Sequence, residues 1–293
     1  MKNLKKHKVY LSIDFEDFSH DYNRLFGNQT VLINSNALHK SYERIKDISN
    51  KYLDNKKITF FVTGICARQN PDLIKKIHSD GHEIACHYNY HDNIENQNPE
   101  IFRKNLKIAK KSIEEIIGEE LLGFRAPSFA IGPNDDWAYE IIAEEFRYDS
   151  SCRTSLNFHD AKNKHKKNNR ASQLIEFFIF EYKFPFQLKM KSGGTFFRFF
   201  PAKWTKSVLM QQVNDGHTPL IYFHPYELTL NAEFWVPYRY FKHCGIFKGL
   251  LAWARQIQWL IIGHRNLDKK LSFILQDFEL SLIHISEPTR LGM

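Results

Sequence analysis

Long apolar runs are missing from this chain: no stretch approaches the ~18 consecutive apolar residues of a membrane span. Cysteine is scarce. The four at 66, 86, 152 and 244 lack CxxC spacing, which excludes a disulfide scaffold and leaves isolated thiols in a reducing compartment. With only 13 glycines, 10 prolines and no internal repeat, collagen-like and low-complexity architectures fall away. A secretory signal is not expected either. Met1 to Lys8 carries four lysines, but the apolar run that follows, Val9 to Ile13, is far shorter than the ~7–15 residues such a signal needs. The expectation is a cytoplasmic protein. Acidic residues are in deficit, 33 against 41 basic ones, leaving a net charge of +8 that draws the chain towards polyanions without naming one. No basic helix or stacking platform accompanies that charge, so nucleic acid is not an expected partner.

What is present is a globular composition, 43% hydrophobic and 15% aromatic, in alternating β and α patterns. Val9–Ile13, Ile58–Val62, Glu83–Cys86, Leu121–Phe124 and Leu220–Phe223 read as short buried strands. Asn36–Asp54, Pro71–Ser79, Pro99–Ile117 and Trp204–Gln212 read as helices, the third stopped by Gly118. Repeated β-α units predict a parallel sheet, open or closed into a barrel. Residues 153–173 form a polar, lysine-rich stretch expected to be a solvated loop. Leu174–Phe186 and Thr195–Phe200 are aromatic, either strands of an insert or core elements. Residues 246–262 predict an apolar helix broken by Lys248 and Arg255, an outer helix or partner contact, or an interfacial membrane anchor through Trp253 and Trp259. The last residues, 283–293, carry no continuing periodicity and are read as a non-native tail.

The chemistry-bearing residues cluster at strand ends. Asp14-Phe15-Glu16-Asp17 follows the first strand and His87-Tyr88-Asn89-Tyr90-His91 the third, where α/β folds place their sites. Two histidines four apart converge on one ion if their segment makes a helical turn, and with one carboxylate they form an open metal site. The acids would repel one another unless a cation neutralises them. Asp14 and Glu16 fall on one side of a strand, one free to ligate and the other to accept a proton; Asp17 is a rival ligand or a helix cap.

These residues resemble the polysaccharide deacetylases with a NodB-homology domain, carbohydrate esterase family 4. Ser12-Ile13-Asp14 followed by Glu16, the His87…His91 pair after Gly81-His82-Glu83-Ile84, Arg125-Ala126-Pro127-Ser128, Tyr148-Asp149-Ser150-Ser151 and Ile221-Tyr222-Phe223-His224-Pro225 are similar to its five motifs, in order. The wording is similar to the branch associated with exopolysaccharide biosynthesis. Tyr88, where the family has a small hydroxyl residue, and Glu16, where it has Asp, depart from the pattern.

The resemblance implies an α/β fold, a distorted (β/α)7 barrel of the NodB-homology type over 1–230 with an irregular aromatic insert at about 153–200, and a C-terminal extension over 231–282. It implies a metal-dependent hydrolase that removes N-acetyl groups from N-acetylhexosamine units of a polysaccharide or lipid-linked glycan. Glu16, or Asp17 in its place, would hold a divalent metal with His87 and His91; Zn2+ suits these donors, and Co2+, Ni2+ or Fe2+ fit them too. Asp14 would be the base oriented by Arg125, His224 the acid kept charged by Asp149, and the Ser128 backbone N–H an oxyanion donor. Tyr90, Phe129 and Tyr226 would stack on sugar. Glu227 receives no role. Two other readings stay open: a small-molecule amide or imide hydrolase, and a catalytically inactive barrel that binds glycan or membrane.

Overall fold

The computed structural model describes residues 6–27, 33–53, 55–131, 135–154, 173–183 and 189–283. Strands β1 (His7–Phe15), β2 (Thr59–Val62), β3 (Glu83–Cys86), β4 (Gly123–Phe124), β5 (Tyr148–Asp149), β7 (Ile175–Glu176) and β10 (Leu220–Phe223) form one curled parallel sheet in the order β10-β1-β2-β3-β4-β5-β7. The fold is thus α/β, a curled parallel half-barrel that agrees with the expected distorted (β/α)7 barrel of the NodB-homology type. β1 lies second in this order: Ser12–Phe15 pairs with Thr59–Val62 on one side and Tyr10–Ile13 with Leu220–Phe223 on the other. Its last seven residues are buried, as a parallel strand covered on both faces requires. The C-terminal strand β11 (Phe278–Ser281) also enters the sheet, alongside His7–Tyr10. A smaller sheet, β6 (Arg153–Thr154), β8 (Ile179–Lys183) and β9 (Lys189–Lys191), stands apart.

Local signals explain the helices. α1 (Phe18–Leu25) is capped by Asp17 and α2 (Ser35–Tyr52) by Asn34, whose side chain accepts from Ala37 N. α3 (Gly64–Gln69) is capped by Thr63, and α4 (Pro71–Ser79) begins on proline. α5 (Pro99–Ile117) has Asn98 as cap and ends at Gly118, whose φ of 77° is open to glycine at no steric cost. α6 (Asp136–Glu145), α7 (Gly194–Phe199) and α8 (Ala202–Asn214) follow, then α9 (Pro225–Leu228), α10 (Ile246–Leu260) and α11 (Leu267–Ile274). The aromatic Thr195–Phe200 stretch is therefore helical, burying Phe197 against Phe223.

Much of the 153–173 stretch lies outside the described residues, as do 284–293 of the expected tail. Ile283 itself is fully buried, in the cluster that includes Tyr10 and Leu220. Among the described residues, no helix is long and apolar enough to cross a membrane.

Candidate active site

Parallel strands deliver their C-terminal ends to one rim, and four of them meet there. β1 brings Asp14 and, one residue past its end, Glu16; β3 leads to His87, β4 to Arg125 and β10 to His224. All but His224 are buried, which leaves each polar group dependent on the others.

His87 donates from Nδ1 to the Arg125 carbonyl oxygen at 2.8 Å, an acceptor that fixes the tautomer. Its Nε2 is therefore a lone pair, buried and without a hydrogen-bond partner, aimed at Glu16 Oε2 3.7 Å away. His91 Nε2 lies 2.6 Å from the same oxygen. The ligand atoms of Glu16, His87 and His91 all fall within 4.8 Å of one another, a spacing that fits a single cation. Burial holds His87 down at about 4. Burial also lowers His91, but Glu16 and Asp21 outweigh it and carry His91 to about 9. Glu16, which burial alone would raise, is drawn down to about 2, chiefly by His91.

The two histidines do not sit on a helical turn. Tyr88 and His91 both have positive φ, 64° and 59°, so the segment is a loop that folds back on itself. It is pinned by the first amides of α3, Gly64 N to Tyr88 O at 2.8 Å and Ile65 N to Asn89 O at 3.0 Å. The Tyr88 side chain turns into the core, stacked on Phe102 with its hydroxyl on Gln97, and so leaves the imidazoles unobstructed. Asp17 is not one of the three residues gathered there. Its carboxylate accepts from Ser19 Oγ, His20 N and Asn34 N, and this capping work occupies both oxygens.

Asp14 stays beside the triad. Its Oδ1 accepts from Arg125 Nη1 at 2.5 Å, and Arg125, with no exposed surface, also donates to Ser12 Oγ and Ser150 Oγ and lies over the Phe61 ring.

The expected pairing of Asp149 with His224 is not found. β5 is separated from β10 by β1, β2, β3 and β4, and the Asp149 carboxylate accepts from Ser151 N and Ser151 Oγ. Burial pushes it up to about 6. Ser151 Oγ in turn accepts from Ala126 N at 2.7 Å, so Asp149 braces the segment that carries Arg125. The carboxylate beside His224 is Glu227, three residues on: His224 Nδ1 donates to Glu227 Oε2 at 2.7 Å, and the His224 backbone N–H donates to the same oxygen at 3.1 Å. Glu227 accepts on its other oxygen from Arg198 Nη2 and Thr195 Oγ1. Burial would lower His224, but Glu227 outweighs it and raises the imidazole above its ordinary value. His224 Nε2 is left 3.6 Å from Glu16 Oε1. A proline at the first helical position and Glu at the third marks a helix start, the signal by which Glu227 could have been found.

A cavity of about 320 Å³ joins Asp14, Glu16, His87, His91 and His224. Ser128, Phe129 and Tyr226 line it, Tyr226 stacked on the His224 ring with a centroid distance of 4.9 Å. Tyr90 does not line it; its ring sits under Arg68 instead. Lys191, Tyr222 and Trp259 also face this space, and of these Lys191 and Trp259 come from segments the motifs do not reach.

Residues 3–139 match the family model for polysaccharide deacetylase. Over these residues the chain is similar to the polysaccharide deacetylases. Residues 150–261 match a domain of unknown function, DUF3473. Among solved structures, a candidate polysaccharide deacetylase from Mycobacterium smegmatis superimposes with a TM-score of 0.51 at 16% identity, covering 98% of this chain and 96% of its own. A family 4 carbohydrate esterase from Streptomyces lividans gives 0.45 at 12% identity, covering 94% and 93%. A CE4-family pseudoenzyme variant with restored activity, from Bacillus anthracis, gives 0.49 at 15%, covering 96% and 67%. No curated protein matches in sequence. The deacetylase match ends within α6, so β10 and the His224–Glu227 pair lie beyond it, Glu227 inside the domain of unknown function.

Proposed function

We propose that this chain is a metal-dependent hydrolase that removes N-acetyl groups from N-acetylhexosamine units of a polysaccharide or lipid-linked glycan. The observation that carries the reading is the unpartnered, buried Nε2 of His87, facing Glu16 and His91 beside a separate carboxylate, Asp14. Glu16, His87 and His91 are the ligands, and their two nitrogens and one oxygen suit Zn2+ best. Bound there, the cation supplies Lewis acidity, polarising an acetamide carbonyl and lowering the pKa of water.

The chain's own groups do the rest. Asp14, held by Arg125, accepts the proton of the attacking water. Ser128 lines the same cavity, and its backbone N–H is the donor to the oxyanion that develops on the substrate carbonyl. His224, whose charged form Glu227 favours, gives its Nε2 proton to the departing amine, which cannot leave without it. Phe129 and Tyr226 offer apolar surface to a sugar face. The scarcity of cysteine, four in the chain without CxxC spacing, is the basis on which a cytoplasmic setting is proposed.

Acetate release from acetylated chitooligosaccharides by the zinc-loaded protein tests this. Asp14→Asn should lower kcat by about 10²–10⁴-fold. Undiminished turnover in that variant defeats the mechanism, and turnover of cyclic ureides in place of the oligosaccharides moves the reading to a small-molecule amide hydrolase.

A further inference from the structure

α10 turns an apolar face to solvent. Ile246 and Phe247 are 79% and 75% exposed, and Leu250, Leu251, Ile257 and Ile261 share their side of the helix. The spacing 246, 250, 257, 261 keeps these residues on one arc, while Gly249, Ala252, Gln256 and Leu260 face the core. The tryptophans do not belong to the exposed arc. Trp253 packs on Trp235, and Trp259 packs on Phe18 and Tyr22. The anchor expected of them is therefore carried by the aliphatic residues and Phe247. A contiguous exposed patch of this kind marks a contact surface.

Charge selects the partner. From residue 234 to 267 the chain has no Asp or Glu, whereas Arg239, Lys242, Lys248, Arg255 and Arg265 all fall there. An exposed apolar face in a segment that carries charge of one sign suits a bilayer with anionic headgroups. A second copy of the same chain would bring like charge against like.

The helix is also tied to the active site. The Trp259 ring lines the catalytic cavity, and the Trp259 and Ile262 carbonyls accept from Arg198, which donates to Glu227. Leu25, 77% exposed, lines the same cavity. We propose that the exposed face of α10 seats the protein on an anionic bilayer surface, with the cavity open to glycans carried there. The delivery of a glycan rests on the deacetylase reading; the seating does not.

Vesicle flotation of the full chain tests it, comparing phosphatidylcholine vesicles with vesicles that also contain phosphatidylglycerol. The wild type should float with the anionic vesicles. Phe247→Glu/Leu251→Glu should weaken partition at least about tenfold through lost apolar burial. Lys242→Glu/Lys248→Glu should weaken it by roughly tenfold or more and abolish the preference for phosphatidylglycerol. All four side chains are solvent-exposed, so the variants should melt with the wild type and release acetate from soluble chitooligosaccharides at its rate. That separates a failure of docking from a failure of the hydrolase reading. The proposal is overturned if the wild type stays with the lipid-free fraction, or if both variants float as it does. It is also overturned if light scattering finds a dimer that Phe247→Glu/Leu251→Glu breaks while nothing floats, which would make a second copy the occupant.

Discussion

Glu227 shows how much one carboxylate can organise. A single oxygen, Oε2, accepts from both the ring and the backbone of His224, while the other oxygen is held by Arg198. The imidazole is thereby fixed in the tautomer that turns Nε2 to the cavity and is favoured in its charged form. Glu227→Gln keeps an acceptor at this position but removes the charge. It should lower kcat by about 10–100-fold with KM little changed, because a general acid acts in the transition state and not in substrate binding. Steady-state kinetics on chitooligosaccharides decides: an unchanged kcat would mean that Glu227 merely caps α9. Primary structure concealed this role because the resemblance supplied a different acid, Asp149. The two could be told apart only once the sheet order put β5 far from β10.

Elements were readable where their ends carry local chemistry. Pro71–Ser79 and Pro99–Ile117 form with the bounds their proline starts suggest, because Pro at the first helical position and Gly118 at the end are determined within the segment. The His87–His91 loop was not readable as a shape, since its left-handed residues are imposed by amides of α3, distant in sequence. The aromatics of Thr195–Phe200 left strand and core element both open, and tertiary packing decides for a helix that buries Phe197 in the core.

The turn from α4 into β3 shows what such a junction can control. Gly81, at φ +86°, lets the chain reverse, and buried His82 accepts at Nδ1 from Ile58 N at 3.2 Å. Burial lowers His82 from 6.5 to about 4. Between those values the unfolded chain binds the proton that the folded one refuses. Stability is therefore full above pH 6.5 and is lost as pH falls towards 4, by up to about 3 kcal/mol from this residue. In urea titrations, His82→Asn, which keeps an acceptor but cannot titrate, should lose about 2–3 kcal/mol less than the wild type between pH 7 and pH 4. Equal losses in the two proteins would acquit His82.

At the scale of the whole molecule, the site works as a clasp. Glu16 follows β1 and His87 and His91 follow β3, so a cation bound by all three would join the ends of β1 and β3 across β2. Anything that binds only the folded chain stabilises it by mass action, about 2.7 kcal/mol at 100 times Kd. For a chain of this size that corresponds to a Tm rise of roughly 5–10 °C. Zn2+ should produce such a rise in the wild type, and chelation should reverse it. Glu16→Gln removes a ligand and should abolish most of the rise. Asp14→Asn should retain it while losing turnover, because Asp14 faces Arg125 and lies outside the triad. Scanning calorimetry of the three proteins with and without Zn2+ thus separates holding the metal from using it. A rise that survives Glu16→Gln intact would place the ion elsewhere, and one lost equally in both variants would make Asp14 a ligand and leave the hydrolysis without its base.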